Sequence, residues 1–286
     1  MSGFDLDHVG IAVADLDDAA AKFQRLGFQL TLRGYHTLPP PAAGAERPRM
    51  GTGNHCAMLR RGYLELIGVT APAYQGRLRA DIARYEGLHV IAFGVLDAAA
   101  AASALRSAGV EVTGPRTLER PIQEIGKTQP ARFEIVDLSQ ELLPEGHFFA
   151  IQHATRELLW KEPLLTHPNG VLSLETLIVA VTNPADFARR LGGILSVAPV
   201  EGDGFLLELK AGRLHVVDGA WIAAKLPGKT PDLPYIAGLA LGVTDVEKTA
   251  DLLAKNGVRY QRKPGKVTVS PADACGAFID FQTAGA

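Results

Sequence analysis

Two residues stand where a polar group is hard to accommodate. His8 lies in Leu6-Asp-His-Val-Gly-Ile-Ala-Val13, a strand-like run whose alternation puts His8, Gly10 and Ala12 on one face and Val9, Ile11 and Val13 on the other. Glu65 lies in Tyr63-Leu-Glu-Leu-Ile-Gly-Val69, among Leu64, Leu66 and Ile67. A charge on such a strand is tolerated when it is paired, hydrogen-bonded or bound to a cation. An imidazole and a carboxylate on interior strands suit one divalent ion, Zn, Ni, Mn or Fe(II), open to substrate. They suit equally a hydrogen-bonded His–Glu pair in a metal-free ligand pocket. In the first case Glu65 is the catalytic residue, ligating the ion or moving a proton. Asn54 and His55, on the next strand-like piece, are candidates for substrate contact, His55 being as well explained by a structural role. Arg120, Arg132 and Lys127 could meet an anionic substrate, with Arg132 taken as the binding residue; surface charge is the bland alternative.

Other chemistries are not encoded. Gly126-Lys-Thr and Gly228-Lys-Thr lack the upstream glycine of a phosphate loop, and Gly51-Thr-Gly53 has Cys56 where a dinucleotide fingerprint needs glycine. There is neither a His-Glu-x-x-His helix nor a Gly-x-Ser-x-Gly elbow.

The elements that must position these residues recur four times. Gly10-Ile-Ala-Val-Ala-Asp-Leu-Asp leads through an amphipathic helix to Gly27, and strand character resumes at Phe28. A second copy starts at His89-Val-Ile-Ala-Phe-Gly-Val-Leu, is capped by Asp97 and stops at Gly109. A third has Leu177-Ile-Val-Ala-Val, Asn183 as cap with Pro184 at the first helical position, and a stop at Gly192-Gly193. The fourth has Leu239-Ala-Leu-Gly-Val, Thr244 or Asp245 as cap and a stop at Gly257. Three strand-like pieces follow each helix: 28–35, 54–59 and 63–69; 110–113, 131–138 and 148–153; 194–200, 205–209 and 213–217; 258–262, 266–270 and 277–281. About one helix per four strands predicts an α+β fold of four βαβββ modules, not an alternating α/β fold. Residues 37–48, with three consecutive prolines, read as a surface loop. Residues 1–157 form the first predicted domain, 158–172 a connector containing Trp160 and His167-Pro-Asn-Gly170, and 173–286 the second domain. Trp160 is expected to anchor the connector and His167 to sit in a turn.

Composition narrows the function. The chain has 286 residues, 47% hydrophobic and 21% charged, with 29 Lys+Arg against 31 Asp+Glu. That balance carries no basic surface for nucleic acid or anionic membrane. Two cysteines, Cys56 and Cys275, make neither a disulfide framework nor a thiolate cluster. The amino terminus does not read as a signal peptide and no apolar run reaches the ~20 residues of a membrane span, so a cytoplasmic location is expected.

These units resemble the βαβββ modules of the vicinal-oxygen-chelate superfamily, which includes glyoxalase I, methylmalonyl-CoA epimerase, extradiol dioxygenases and bleomycin-resistance binding proteins. Leu6-Asp-His-Val-Gly-Ile-Ala-Val-Ala-Asp-Leu-Asp is similar to the first strand and cap of that superfamily, and Gly51-Thr-Gly-Asn-His with Gly62-Tyr-Leu-Glu-Leu-Ile-Gly-Val69 to its third and fourth strands. Phe148-Phe-Ala-Ile-Gln-His and His167-Pro-Asn-Gly resemble the glyoxalase-like domain group within it. The resemblance implies that modules pair into two half-open-barrel domains and that metal ligands come from the first and last strand of each module. In the first module these positions hold His8 and Glu65. In the second, His89 and Gln152 complete the set, although matching Ala92–Asp97 to Ala12–Asp17 sets Leu88 opposite His8, so His89 needs a bulge. That matching points His153 away from the site. The second domain offers only Thr176, Gly238 and Asp280 where ring-cleaving dioxygenases hold two His and one Glu, which disfavours ring cleavage and predicts a structural partner without a metal of its own.

The sequence therefore predicts a metal-assisted glyoxalase-type lyase or isomerase acting on a small carbonyl compound in the N-terminal cavity. The alternative is a metal-free protein that binds or sequesters a small molecule. The expected partners are a small-molecule ligand and a second copy of the chain in a homodimer, with no nucleic acid and no membrane.

Overall fold

The computed structural model describes residues 3–42, 45–124, 127–226 and 229–285, with the side chains of 123, 124, 127 and 128 left out. Lys127's side chain, the two phosphate-loop look-alikes at Gly126 and Gly228, and two residues of the proline-rich loop thus lie outside the described residues. The fold is α+β. It opens with β1 (Asp5–Val13), α1 (Leu16–Arg25), β2 (Gly34–Thr37), β3 (Arg49–Met58) and β4 (Tyr63–Val69). After α2 (Arg77–Arg84) the order repeats as β5 (Gly87–Gly94), α3 (Ala98–Ser107), β6 (Val112–Glu124), β7 (Lys127–Leu138) and β8 (His147–His153). The second half runs β9 (Val171–Ala180), α4 (Pro184–Leu195), β10 (Val200–Gly202), β11 (Gly204–Glu208), β12 (Arg213–Val217), α5 (Gly219–Lys225), β13 (Tyr235–Val243), α6 (Val246–Lys255), β14 (Tyr260–Lys263), β15 (Lys266–Val269) and β16 (Phe278–Thr283). No helix among the described residues is long and apolar enough to cross a membrane.

Capping chemistry sets the helix starts. The side chains of Asp15, Asp97, Asn183 and Asp245 each accept hydrogen bonds from backbone N–H groups of the first turn. Three of the predicted stops hold, with Gly27, Gly109 and Gly257 all in the left-handed region. The third does not. α4 passes through Gly192-Gly193 to Leu195, and the left-handed residue is Ser196 at φ 55°. A Cβ at Gly192 would stand 2.6 Å from the Val197 carbonyl oxygen, so that glycine permits close backbone approach and does not end the helix. The strand predicted over 28–35 is also shorter. The connector holds the start of this segment, Gln29 N–H donating to His167 Nδ1 and Asn169 N–H to the Gly27 carbonyl, while Thr31 N–H donates to the Cys56 carbonyl of β3.

In each half the outermost strands of a unit pair in parallel: β1 with β4, β5 with β8, β9 with β12 and β13 with β16. β1 pairs antiparallel with β5, and β9 with β13. The two halves join through Ile236 and Leu88, so all strands belong to one open sheet. Apolar residues on one face of β1, β4, β5 and β9 pack with α1, α3 and α4 in a core that spans both halves, including the Phe28–Phe281 and Phe148–Phe187 ring contacts. The other face of the first half is a cup walled by Cys56, Met58, Tyr63, Ala92, Phe133, Ile135 and Ile151 and closed on one side by Leu159 and Leu165 of the connector. Trp160 anchors the connector, its indole N–H donating to the Leu59 carbonyl at 3.0 Å. His167 is more than a turn residue: with Nδ1 accepting from Gln29, its Nε2 donates to the Met58 carbonyl at 2.7 Å.

A polar clamp also crosses between halves. Arg61 Nη2 donates to Glu175 Oε1 at 2.6 Å, and Ser173 Oγ donates to the same oxygen. Arg61→Met leaves the buried Glu175 carboxylate with only the hydroxyl. It is expected to lower stability by about 2 kcal/mol, less than for a fully buried pair because Arg61 is partly solvated. Urea unfolding at neutral pH checks this; an unchanged midpoint would show that the clamp contributes nothing.

Candidate functional site

The cup's polar floor begins with a bulge. Leu6 stands opposite Phe93 and His8 opposite Ala92, so Asp7 is an extra residue in β1. A bulge of this kind lets consecutive side chains leave the strand on the same side. His8 stacks on Tyr63 with ring centroids 4.1 Å apart, and its Nδ1 lies 2.7 Å from Asp7 Oδ1. The same oxygen lies 2.9 Å from Nε2 of His153, at the end of β8. Asp7, His8 and His153 are 8%, 3% and 5% exposed, and their ligand atoms fall within 4.8 Å of one another. Burial alone would raise the Asp7 carboxyl, but hydrogen bonds and charge from His153 and His8 outweigh it and hold the group well below the usual carboxylate range. His153 Nδ1 is buried without a hydrogen-bond partner, and His8 Nε2 has none among the described residues.

Glu65 shares this face. Asn54 Nδ2 donates to Glu65 Oε1, and His36 Nε2 stands 3.4 Å from the same oxygen. His36 is fixed through Nδ1, 2.8 Å from the Thr52 hydroxyl. Burial would raise the Glu65 carboxyl, yet the His36 hydrogen bond and the charges of His36, His8 and Arg120 bring it down to about 2. Glu65 is therefore a carboxylate across the physiological range. That suits ligation or hydrogen bonding better than proton abstraction, for which a base near neutrality is needed.

A cavity of about 640 Å³ adjoins this floor at Asn54; Arg120, Ile122, Leu159 and Leu164 also line it, whereas Asp7, His8, His36 and Glu65 lie outside its lining. A volume of that order accommodates a small organic ligand.

The structure joins Asn54 to Glu65 by a hydrogen bond, leaves His8 on the same face with Asp7 and His153 as its neighbours, and places the other predicted residues elsewhere. β5 does contain the required bulge at His89, between Leu88 and Val90. The ring nevertheless stacks on Tyr85 at 4.0 Å and its Nε2 donates to the Tyr85 carbonyl, because burial favours a partner that is close at hand. Gln152 Oε1 accepts from Ala98 N–H and so secures the start of α3 on the helix side. His55 projects from β3 oppositely to Asn54 and Cys56, with Nδ1 2.9 Å from the Thr31 carbonyl. Arg132 is half exposed and paired with Glu119 at 2.8 Å, outside the cavity lining. Gly10 and Ala92, each five residues before a capping aspartate, pair with Glu65 and Phe149. The positions of the second unit that correspond to His8 and Glu65 are therefore Val90 and Phe149, and His153 points into the cup. Sequence reading missed Asp7, His36 and His153; alternation turns Asp7 away from His8, and only the bulge returns it.

This open sheet, with strand-paired units around a cup, is the vicinal-oxygen-chelate fold. The chain belongs to the glyoxalase-like domain family, whose sequence model matches residues 6–195. No curated protein matches it. Among solved structures, it is similar to a hypothetical protein from Staphylococcus aureus, at 16% identity and a TM-score of 0.67, over 98% of this chain and 100% of that one. It is also similar to a variant of 4-hydroxymandelate synthase from Streptomyces coelicolor, at 16% identity and a TM-score of 0.61, over 100% and 95% of the two chains. A xylose isomerase-like TIM barrel/4-hydroxyphenylpyruvate dioxygenase fusion protein matches at 13% identity and a TM-score of 0.59, over all of this chain and 50% of the other. At such identities these likenesses speak for the fold alone.

Proposed function

We propose that the N-terminal cup carries out a glyoxalase-type lyase or isomerase reaction on a small carbonyl compound, with one divalent ion held by His8, Glu65 and His36. The observation that supports this most is the state of His8. With Nδ1 engaged by Asp7, its Nε2 is left with a free lone pair on the face that carries an ionised carboxylate. A carboxylate behind the ring is what orients a metal-ligating histidine and fixes its tautomer.

The donor types fit such an ion; the described residues whose ligand atoms already lie within 4.8 Å of one another are Asp7, His8 and His153, so His8 would have to approach Glu65 and His36 as the ion binds. Two imidazoles and one carboxylate suit Zn, Ni, Mn or Fe(II), and the 3.4 Å between His36 Nε2 and Glu65 Oε1 is compatible with two ligands of one centre. The Asp7 contacts, at 2.7 and 2.9 Å, are hydrogen-bond separations, so Asp7 serves as the outer partner in this proposal. When bound, the ion would supply Lewis-acid polarisation of a carbonyl oxygen. The chain's own residues would do the rest. Asn54 holds Glu65 in position, the Asp7 carboxylate holds the proton on His8 Nδ1, and Ile122, Leu159 and Leu164 exclude water from a bound substrate.

A second reading, a metal-free binding protein, is favoured by one observation: the second unit contributes Val90 and Phe149 where the first has His8 and Glu65. Metal analysis of the purified protein, followed by calorimetric titration of chelated protein with each of the four ions, separates the two. A stoichiometric ion lost in His8→Ala and His36→Ala is expected. A wild-type protein that binds none of them would leave the pocket as a binding site only. The same proposal includes the two-domain division near residues 158–172, a cytoplasmic location and a homodimer.

A further inference from the structure

The cavity holds one partly buried cation that no carboxylate of the protein touches. Arg120 projects from β6 and lines the cavity, its guanidinium near the Phe133 ring and the Gly34 backbone and hydrogen-bonded to the Cys56 thiol. Its Nε is buried without a partner, and it forms no ion pair with a carboxylate among the described residues; Glu65 reaches it only through space. The other lining arginines differ. Arg33 is paired with Asp17, Arg47 with Glu119, and Arg49 lies exposed over the Tyr35 ring at 3.9 Å. A guanidinium held by a neutral thiol and paired with no carboxylate matches a planar anion that accepts two parallel N–H bonds. One unpaired, partly buried charge matches a monoanion: of the other lining cations two are committed to Asp17 and Glu119, and the third, Arg49, is exposed and stacked on Tyr35. Beside Arg120 the walls are apolar, with Pro121, Ile122, Pro130, Leu159 and Leu164.

We propose that the ligand of the N-terminal cup is an organic monocarboxylate with an apolar body, its carboxylate seated on Arg120 and its body against Ile122, Leu159 and Leu164. This deepens the reading of the cup as a small-molecule site and rests on it, but it needs no metal. Arg120, and not Arg132, is then the residue that selects the ligand.

The test compares phenylacetate and hexanoate with their neutral amides by calorimetry, on protein as purified and after chelation. Wild-type protein is expected to prefer the acids by about tenfold or more, roughly the worth of one charge-assisted bidentate contact. Arg120→Gln should remove the preference, Arg120→Lys should keep part of it, and Arg132→Gln should leave it intact. On wild-type protein the Arg120 side-chain N–H resonances should shift with the acids and not with the amides, which keeps the test open if Arg120→Gln fails to fold. Equal affinity for acids and amides, no binding of either acid, or an unmoved Arg120 resonance would overturn the assignment. Loss of the metal reading with the acid preference retained would overturn only the metal.

Discussion

Glu65→Gln is expected to abolish stoichiometric ion binding and to lower any lyase or isomerase activity by at least about a hundredfold, because the amide keeps the shape and removes the only carboxylate in the donor set. The chain should still fold. Glu65 is surrounded by Asn54, His36 and the more distant Arg120, and glutamine can retain a hydrogen bond to Asn54. The stability change has a predictable pH signature. The Glu65 carboxyl is lowered from 4.5 to about 2, so its contribution is fully present above about pH 4.5 and is lost as pH falls toward 2. A shift of that size corresponds to about 3 kcal/mol. Urea unfolding across pH 7 to 2 should therefore show a smaller acid loss in Glu65→Gln than in wild type. Gln152→Ala is the natural comparison, expected to lose about 1 kcal/mol from the start of α3 and no ion. An ion retained at full occupancy by Glu65→Gln would remove Glu65 from the site.

The largest effect on stability is expected at Asp7. Its carboxylate accepts from two buried imidazoles, and Asp7→Ala strands both donors in an apolar cup lined by Tyr63, Phe133 and Trp160. Breaking a buried pair of this kind costs about 3–5 kcal/mol. Because the folded carboxyl is held well below its ordinary value, this contribution is present above about pH 4 and decays as the pH falls further. Asp7→Asn should lose less stability, since an amide oxygen can accept one of the two bonds, yet it should still weaken any ion at His8 by about 10–100-fold by releasing the ring's tautomer. Thermal unfolding with metal titration of both variants checks this. An Asp7→Ala protein as stable as wild type would show that the two histidines find other partners.

The local signals of the chain proved to be strong where the physics is local. Asp15, Asp97, Asn183-Pro184 and Asp245 start helices because a short polar side chain satisfies N–H groups of its own first turn. Gly27, Gly109 and Gly257 end them because the left-handed conformation is cheap for glycine. Gly192 shows the limit: the same residue type served packing against Val197. His8 and Glu65 could also be read on one face, since period-two alternation in a regular strand needs no partner to define it.

What alternation could not supply was the residue that breaks it. Asp7 and His89 are both bulge residues, created by the mutual register of β1 and β5, strands whose pairing is set some eighty positions apart in the chain. One extra residue reverses the facing of a side chain, so Asp7 enters the cup. His153 likewise enters and Gln152 leaves because Phe149, not Gln152, pairs with Ala92. The sequence by itself thus determined the α+β class, the repeating order of strands and helices, and the strand faces on which His8 and Glu65 lie. Only the tertiary structure decided which imidazoles and carboxylates complete the floor, which arginine faces the cavity and which predicted ligands serve as caps or props. Those outcomes depend on strand register and on contacts between distant segments, neither of which is encoded in any short run of residues.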